Sequence, residues 1–261
     1  MRESKAAIVL CQCSERDPAF TAALKQVLAA LEKAGVGFQL VRDFCELAAR
    51  KDSVIPRMFQ DRPLHIVACY PRSIKWLLHA AGHPVADAAM TVWNLRAESP
   101  DTVVGQLLQH PNDGHRLPVS ATNPSGNWVP WFPVIDYDRC CNCRQCHDYC
   151  LFGVYEVDAE NKVAVVHPQN CKTNCPACAR ICPEVAIIFP KYNQAPINGA
   201  PVEEPHRNAT LANLQELREA DAYALLAERR KQTRIRLTQA PESAAQAELL
   251  LRQPIIPPPK V

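Results

Sequence analysis

Nine of the thirteen cysteines in this 261-residue chain fall between Cys140 and Cys182, in two consecutive runs. The first reads Cys140-x-x-Cys143-x-x-Cys146-x-x-x-Cys150. The second reads Cys171-x-x-x-Cys175-x-x-Cys178-x-x-x-Cys182-Pro183. Thiolates are soft ligands that suit iron–sulfur clusters or zinc. Structural zinc sites come as separated pairs, as in a ribbon or finger, and two back-to-back runs of four fit that pattern poorly. They fit a cubane better. A tight loop with two-residue gaps wraps three corners, and a fourth cysteine opening a helical turn points away toward a neighbouring cluster.

Residues 131–191 resemble a two-cluster bacterial-type ferredoxin domain, with Val134-Ile135-Asp136 leading into the first run and strands expected at 154–157 and 185–189. The resemblance implies an α+β ferredoxin-like module in which two [4Fe–4S] clusters lie between short hairpins and two helical turns. It assigns Cys140, Cys143, Cys146 and Cys182 to one cluster, and Cys150, Cys171, Cys175 and Cys178 to the other. The chain departs from the family pattern in five places. Leu151 follows Cys150 where proline is usual, and Arg144 and Pro176 replace the usual glycine after the second cysteine. The gap from Cys171 to Cys175 is one residue longer, and Cys141 is surplus. None of these removes a ligand, but loop shape and hydrogen bonding to sulfur tune potential. Cys141 is expected to be a small packing residue, with substitute ligation as the alternative.

A formal net charge of +2 gives no support to nucleic-acid binding. No run reaches membrane-span length, and the basic start lacks the apolar stretch of a secretory leader. The many cysteines are therefore read in a reducing, cytoplasmic setting. With 8 Gly and no G-x-G-x-x-G, neither a flavin nor an NAD motif is present.

Upstream, apolar runs at 5–10, 38–41, 65–68 and 90–95 read as strands, and 18–34, 72–81 and 100–109 as helices. The segment 46–60 is expected to be partly helical and interrupted at Pro56. Strands alternating with helices predict an α/β parallel-sheet, doubly wound domain over residues 1–109. Pro, Gly, Asn and Ser between 110 and 130 mark a linker. Beyond the ferredoxin-like module, 192–261 reads as a loop, helices at 210–236 and 242–252, and a proline-rich tail.

Four cysteines lie in the first domain: Cys11, Cys13, Cys45 and Cys69. Each is expected near the carboxyl end of a strand, the edge where open α/β sheets bind ligands. They are candidates for a third iron–sulfur or metal site, or for a dithiol; buried packing is the alternative. The segments 7–13 and 65–72 also resemble the amino-terminal domain of the heterodisulfide reductase A subunit. That resemblance implies a relay subunit without the flavin machinery. The residues together point to an iron–sulfur electron-transfer protein, more a component of an oxidoreductase complex than a self-sufficient enzyme. Redox proteins in a hetero-oligomeric complex are the expected partners. The rival is an oxidoreductase subunit whose α/β domain works through the four upstream cysteines. No catalytic motif was found elsewhere.

Overall fold

Ala7-Ile8-Val9-Leu10-Cys11 is apolar at every position, the pattern of a strand covered on both faces. In the computed structural model, which describes residues 6–12, 18–59, 63–110 and 128–202, it forms a central strand, β1 (Ala7–Cys11). Beside it run β2 (Gln39–Val41), β3 (Leu64–Ala68) and β4 (Met90–Asn94), in the order β2-β1-β3-β4 with every pair parallel. The register sets Leu10 against Leu40 on one side and Val67 on the other.

Because side chains alternate along a strand, the sheet buries two separate cores. Ile8, Leu10 and Val67 face α1 (Pro18–Lys33) and α5 (Pro100–Leu107). Phe20, Leu24, Val27 and Leu31 make the buried stripe of α1, and Gly35 at φ +69° allows the chain to leave that helix. Ser99 caps α5, its hydroxyl accepting from the Thr102 N–H at 3.2 Å, with Pro100 at the first helical position. On the opposite face, Val9, Cys11, Ile66 and Ala68 pack under α2 (Phe44–Arg50), α3 (Val54–Phe59) and α4 (Pro71–Ala80).

The stretch 46–60 departs from expectation in one detail. Its interruption lies at Lys51–Ser53 and not at Pro56. Lys51 turns left-handed at φ 51°, and the Asp52 carboxylate accepts from the Val54 N–H at 2.8 Å to start α3. Pro56 then falls in the first turn of α3, where a missing N–H costs nothing.

The cysteine-rich part adds β5 (Val134–Ile135), α6 (Gln145–Asp148), β6 (Tyr155–Val157), β7 (Val163–Val165), α7 (Ala177–Ile181) and β8 (Ile187–Ile188). β5 pairs antiparallel with β8, and β6 with β7. Trp131, Ile135, Val154, Tyr155, Val163, Ile187 and Phe189 form its core, with the Trp131 and Phe189 rings stacked at 5.4 Å.

This part and the α/β layer belong to one compact unit. Phe132, Val134 and Ile188 bury themselves in the core beneath α4. Arg72 at the start of α4 pairs with Asp136 at 2.5 Å and also donates to the Val185 carbonyl. Lys75 meets Asp138 at 2.9 Å, and Lys191 bonds Asp43. The fully buried Ser73 hydroxyl donates to the Asn198 carbonyl at 2.8 Å. A Cβ on Gly199, at φ +91°, would fall 1.9 Å from that hydroxyl oxygen. Cys13, most of the expected linker and the expected terminal helices and proline tail lie outside the described residues.

Candidate metal centre

Short loops with left-handed residues present the thiols. The Asp136 carbonyl accepts from the Arg139 and Cys140 N–H groups at 3.2 and 2.9 Å, which turns the chain into the first cysteine run. Asn142 and Arg144 then adopt φ of 56° and 61°. Such values are uncommon outside glycine, and asparagine tolerates them through its short polar side chain. Arg144 therefore holds the left-handed conformation at a position where the family usually carries glycine. The winding brings Cys140, Cys141, Cys143 and Cys146 round one pocket, and Cys182, from the end of the other run, joins its lining. Val163, Ala186 and Ile187 supply apolar wall.

Burial and crowding dominate the electrostatics. The Cys146 thiol is pushed up to about 12, first by burial and then by neighbouring Cys182, Cys178 and Cys140. The Cys182 thiol is raised by burial, against backbone N–H groups that favour its thiolate; that of Ala186 reaches the sulfur at 3.2 Å. Cys171 is likewise pushed up to about 12, by burial and then by Cys178, Cys175 and Cys150. Cys178 rises to about 11 through burial, held back by a hydrogen bond from Tyr155. Cys171 and Cys178 thus feel Cys150 and Cys175, Cys140 feels Cys141, and Cys146 feels Cys182, Cys178 and Cys140. Raised values of this kind keep bare thiols protonated, so loading iron or zinc would release protons. The donor set is sulfur throughout, which fits a soft metal or iron–sulfur core. Among the described residues, no three His, Cys, Asp or Glu side chains are disposed to hold a single metal ion.

Cys141 corrects an expectation. It is exposed, not a packing residue, and it lines the same pocket as Cys140, Cys143, Cys146 and Cys182. Of the upstream cysteines, Cys11 ends β1, Cys69 follows β3, and Cys45 sits in the first turn of α2, where Asp43 accepts from its N–H at 2.9 Å. All three are buried in the same apolar core beneath α4.

No family model matches the chain, but three known proteins resemble part of it. An uncharacterized ferredoxin of Methanocaldococcus jannaschii is 53% identical over 64 residues, covering 24% of this chain and 42% of that protein. The chain thus spans less than half the length of that relative. Ferredoxin-3 of Nostoc sp. is 39% identical over 75 aligned positions, covering 22% of this chain and 76% of that protein. The pyruvate synthase subunit PorD of Methanocaldococcus jannaschii is 32% identical over 68 residues, covering 26% and 77%. The chain belongs to the ferredoxins. The ferredoxin domain accounts for about a quarter of its length, and the α/β layer is additional to it.

Reading the ferredoxin domain from sequence missed two long-range side-chain contacts, one at the entry to the first cysteine run and one at a thiol. Arg72, 64 positions before Asp136, reaches across from α4. Tyr155, noted only as part of a strand, is buried with its hydroxyl 3.1 Å from the Cys178 sulfur. Its position five residues after Cys150, in a strand whose alternate side chains face the core, was the available signal. Among the described residues, no helix is long and apolar enough to cross a membrane.

Proposed function

We propose that this chain is an iron–sulfur electron-transfer subunit holding two [4Fe–4S] clusters. Cys140, Cys143, Cys146 and Cys182 hold one, and Cys150, Cys171, Cys175 and Cys178 the other. The observation that carries the reading is the pocket in which Cys182 joins Cys140, Cys141, Cys143 and Cys146, some forty residues earlier in sequence. That exchange between runs is what two neighbouring cubanes require. When bound, such a cluster takes up and gives back a single electron. The residues around it bind it through sulfur, aim N–H groups at sulfur and exclude water with Val163 and Ile187.

The α/β layer, the length of the chain and the likeness to PorD support a place in a multi-subunit redox complex in a reducing compartment. A second reading rests on Cys11, Cys45 and Cys69 sharing one core: with Cys13 they hold a third cluster or work as a dithiol.

Anaerobic purification with iron and sulfide quantitation decides between these. The expected result is about eight irons per chain for two four-iron clusters. Changing Cys143 to Ser lowers that count, whereas Cys141→Ser leaves it unchanged. About twelve irons, falling to about eight when Cys11, Cys13, Cys45 and Cys69 become serine, would establish the third cluster. Colourless protein that binds zinc would sink the proposal.

A further inference from the structure

Tyr155 opens β6 with its backbone paired to Val165, and its ring is packed in the core of the ferredoxin domain at 4% exposure. A phenol buried this deeply must find a hydrogen-bond partner or lose the solvation of its hydroxyl. Its hydroxyl donates to the Cys178 sulfur at 3.1 Å. The other quartet is arranged differently: there, the N–H of Ala186 points at the Cys182 sulfur. A backbone donor is common to any sequence, but the Tyr155 hydroxyl is a property of this one.

We infer that Tyr155 is a positioning residue that raises the reduction potential of the cluster on Cys150, Cys171, Cys175 and Cys178 above the value the same ligands would otherwise give. This rests on the two-cluster reading. Reduction adds one negative charge to the cluster and its sulfurs, and a donor aimed at sulfur from a water-poor interior stabilises the reduced form more than the oxidised one. The electron comes from an external one-electron donor protein, or from dithionite in the test. The phenolic proton stays on its oxygen, and no bond forms or breaks.

The test is a potentiometric titration of anaerobic wild type and Tyr155→Phe, read by electron paramagnetic resonance, with iron counted on the same samples. Removing one oxygen atom should shift one of the two one-electron equilibria about tenfold against reduction, ~59 mV, with the other unmoved. Both midpoints unchanged at full iron content would overturn the inference while leaving the two-cluster reading intact. Wild type without about eight irons overturns both. If Tyr155→Phe loses iron, fluorotyrosine incorporated into wild type decides the question. A more acidic phenol is a stronger donor, so one midpoint should rise, and unmoved midpoints would reject the role.

Discussion

Replacing Arg72 by Met removes the more buried of two charges by which α4 meets the approach to the first cysteine run. In the native chain, Arg72 Nε lies 2.5 Å from Asp136 Oδ2, with side-chain exposures of 14% and 5%. Without the guanidinium, Asp136 keeps one side-chain donor, the Asp138 N–H at 3.1 Å, and the Val185 carbonyl loses the Arg72 bond. Stranding one partner of a buried pair costs about 3–5 kcal/mol. The remaining donor and the partial exposure of Arg72 place this case at the lower end, about 3 kcal/mol. Native-state amide exchange reads the cost locally, because the Asp136 N–H is held by the Ala186 carbonyl at 2.8 Å. Protection there should fall about 150-fold, at 1.4 kcal/mol per tenfold. Changing Asp136 to Leu alone should cost a similar amount, since it leaves the guanidinium unpaired. The double variant should lose far less than the sum, because an apolar pair of similar volume replaces the ion pair. Additivity of the two single losses within about 0.5 kcal/mol would refute the reasoning.

Two further substitutions probe the architecture. Gly199→Ala should cost about 2–5 kcal/mol, combining left-handed strain with loss of the buried Ser73–Asn198 bond. A denaturation midpoint equal to wild type would show that the 196–200 segment yields freely. His65, buried in β3 with its ring 4.2 Å from that of His110, has its pKa lowered to about 4, by burial first and the charge of His110 second. The folded chain therefore binds this proton less readily than the unfolded one. The stability tied to neutral His65 is complete above about pH 6.5 and is lost as pH falls toward 4, by about 1–3 kcal/mol. His65→Phe should flatten that part of the stability–pH curve relative to wild type; parallel curves would exclude the effect.

The α/β layer was largely legible because each of its elements is a local pattern. The unbroken apolar run of β1 and the three-and-four spacing of Phe20, Leu24, Val27 and Leu31 are visible within a few residues. The displaced break between α2 and α3 was not legible, because Pro56 reads as an interruption until its place in a first turn is known. Exposure of Cys141 was hidden for a related reason. A free cysteine is more often buried than not, and only the winding of its loop turns it outward.

Sequence alone determined the sulfur chemistry: ligand type and spacing are covalent properties of the chain, and two runs of four leave few alternatives. Tertiary structure decided what surrounds those sulfurs. The Tyr155 hydroxyl reaches Cys178 across 23 residues and Arg72 reaches Asp136 across 64, so both depend on how separate elements pack. Spacing along the chain selects which atoms bind a metal. The field those atoms experience is set by neighbours that folding brings within hydrogen-bond distance, and no short-range pattern encodes them.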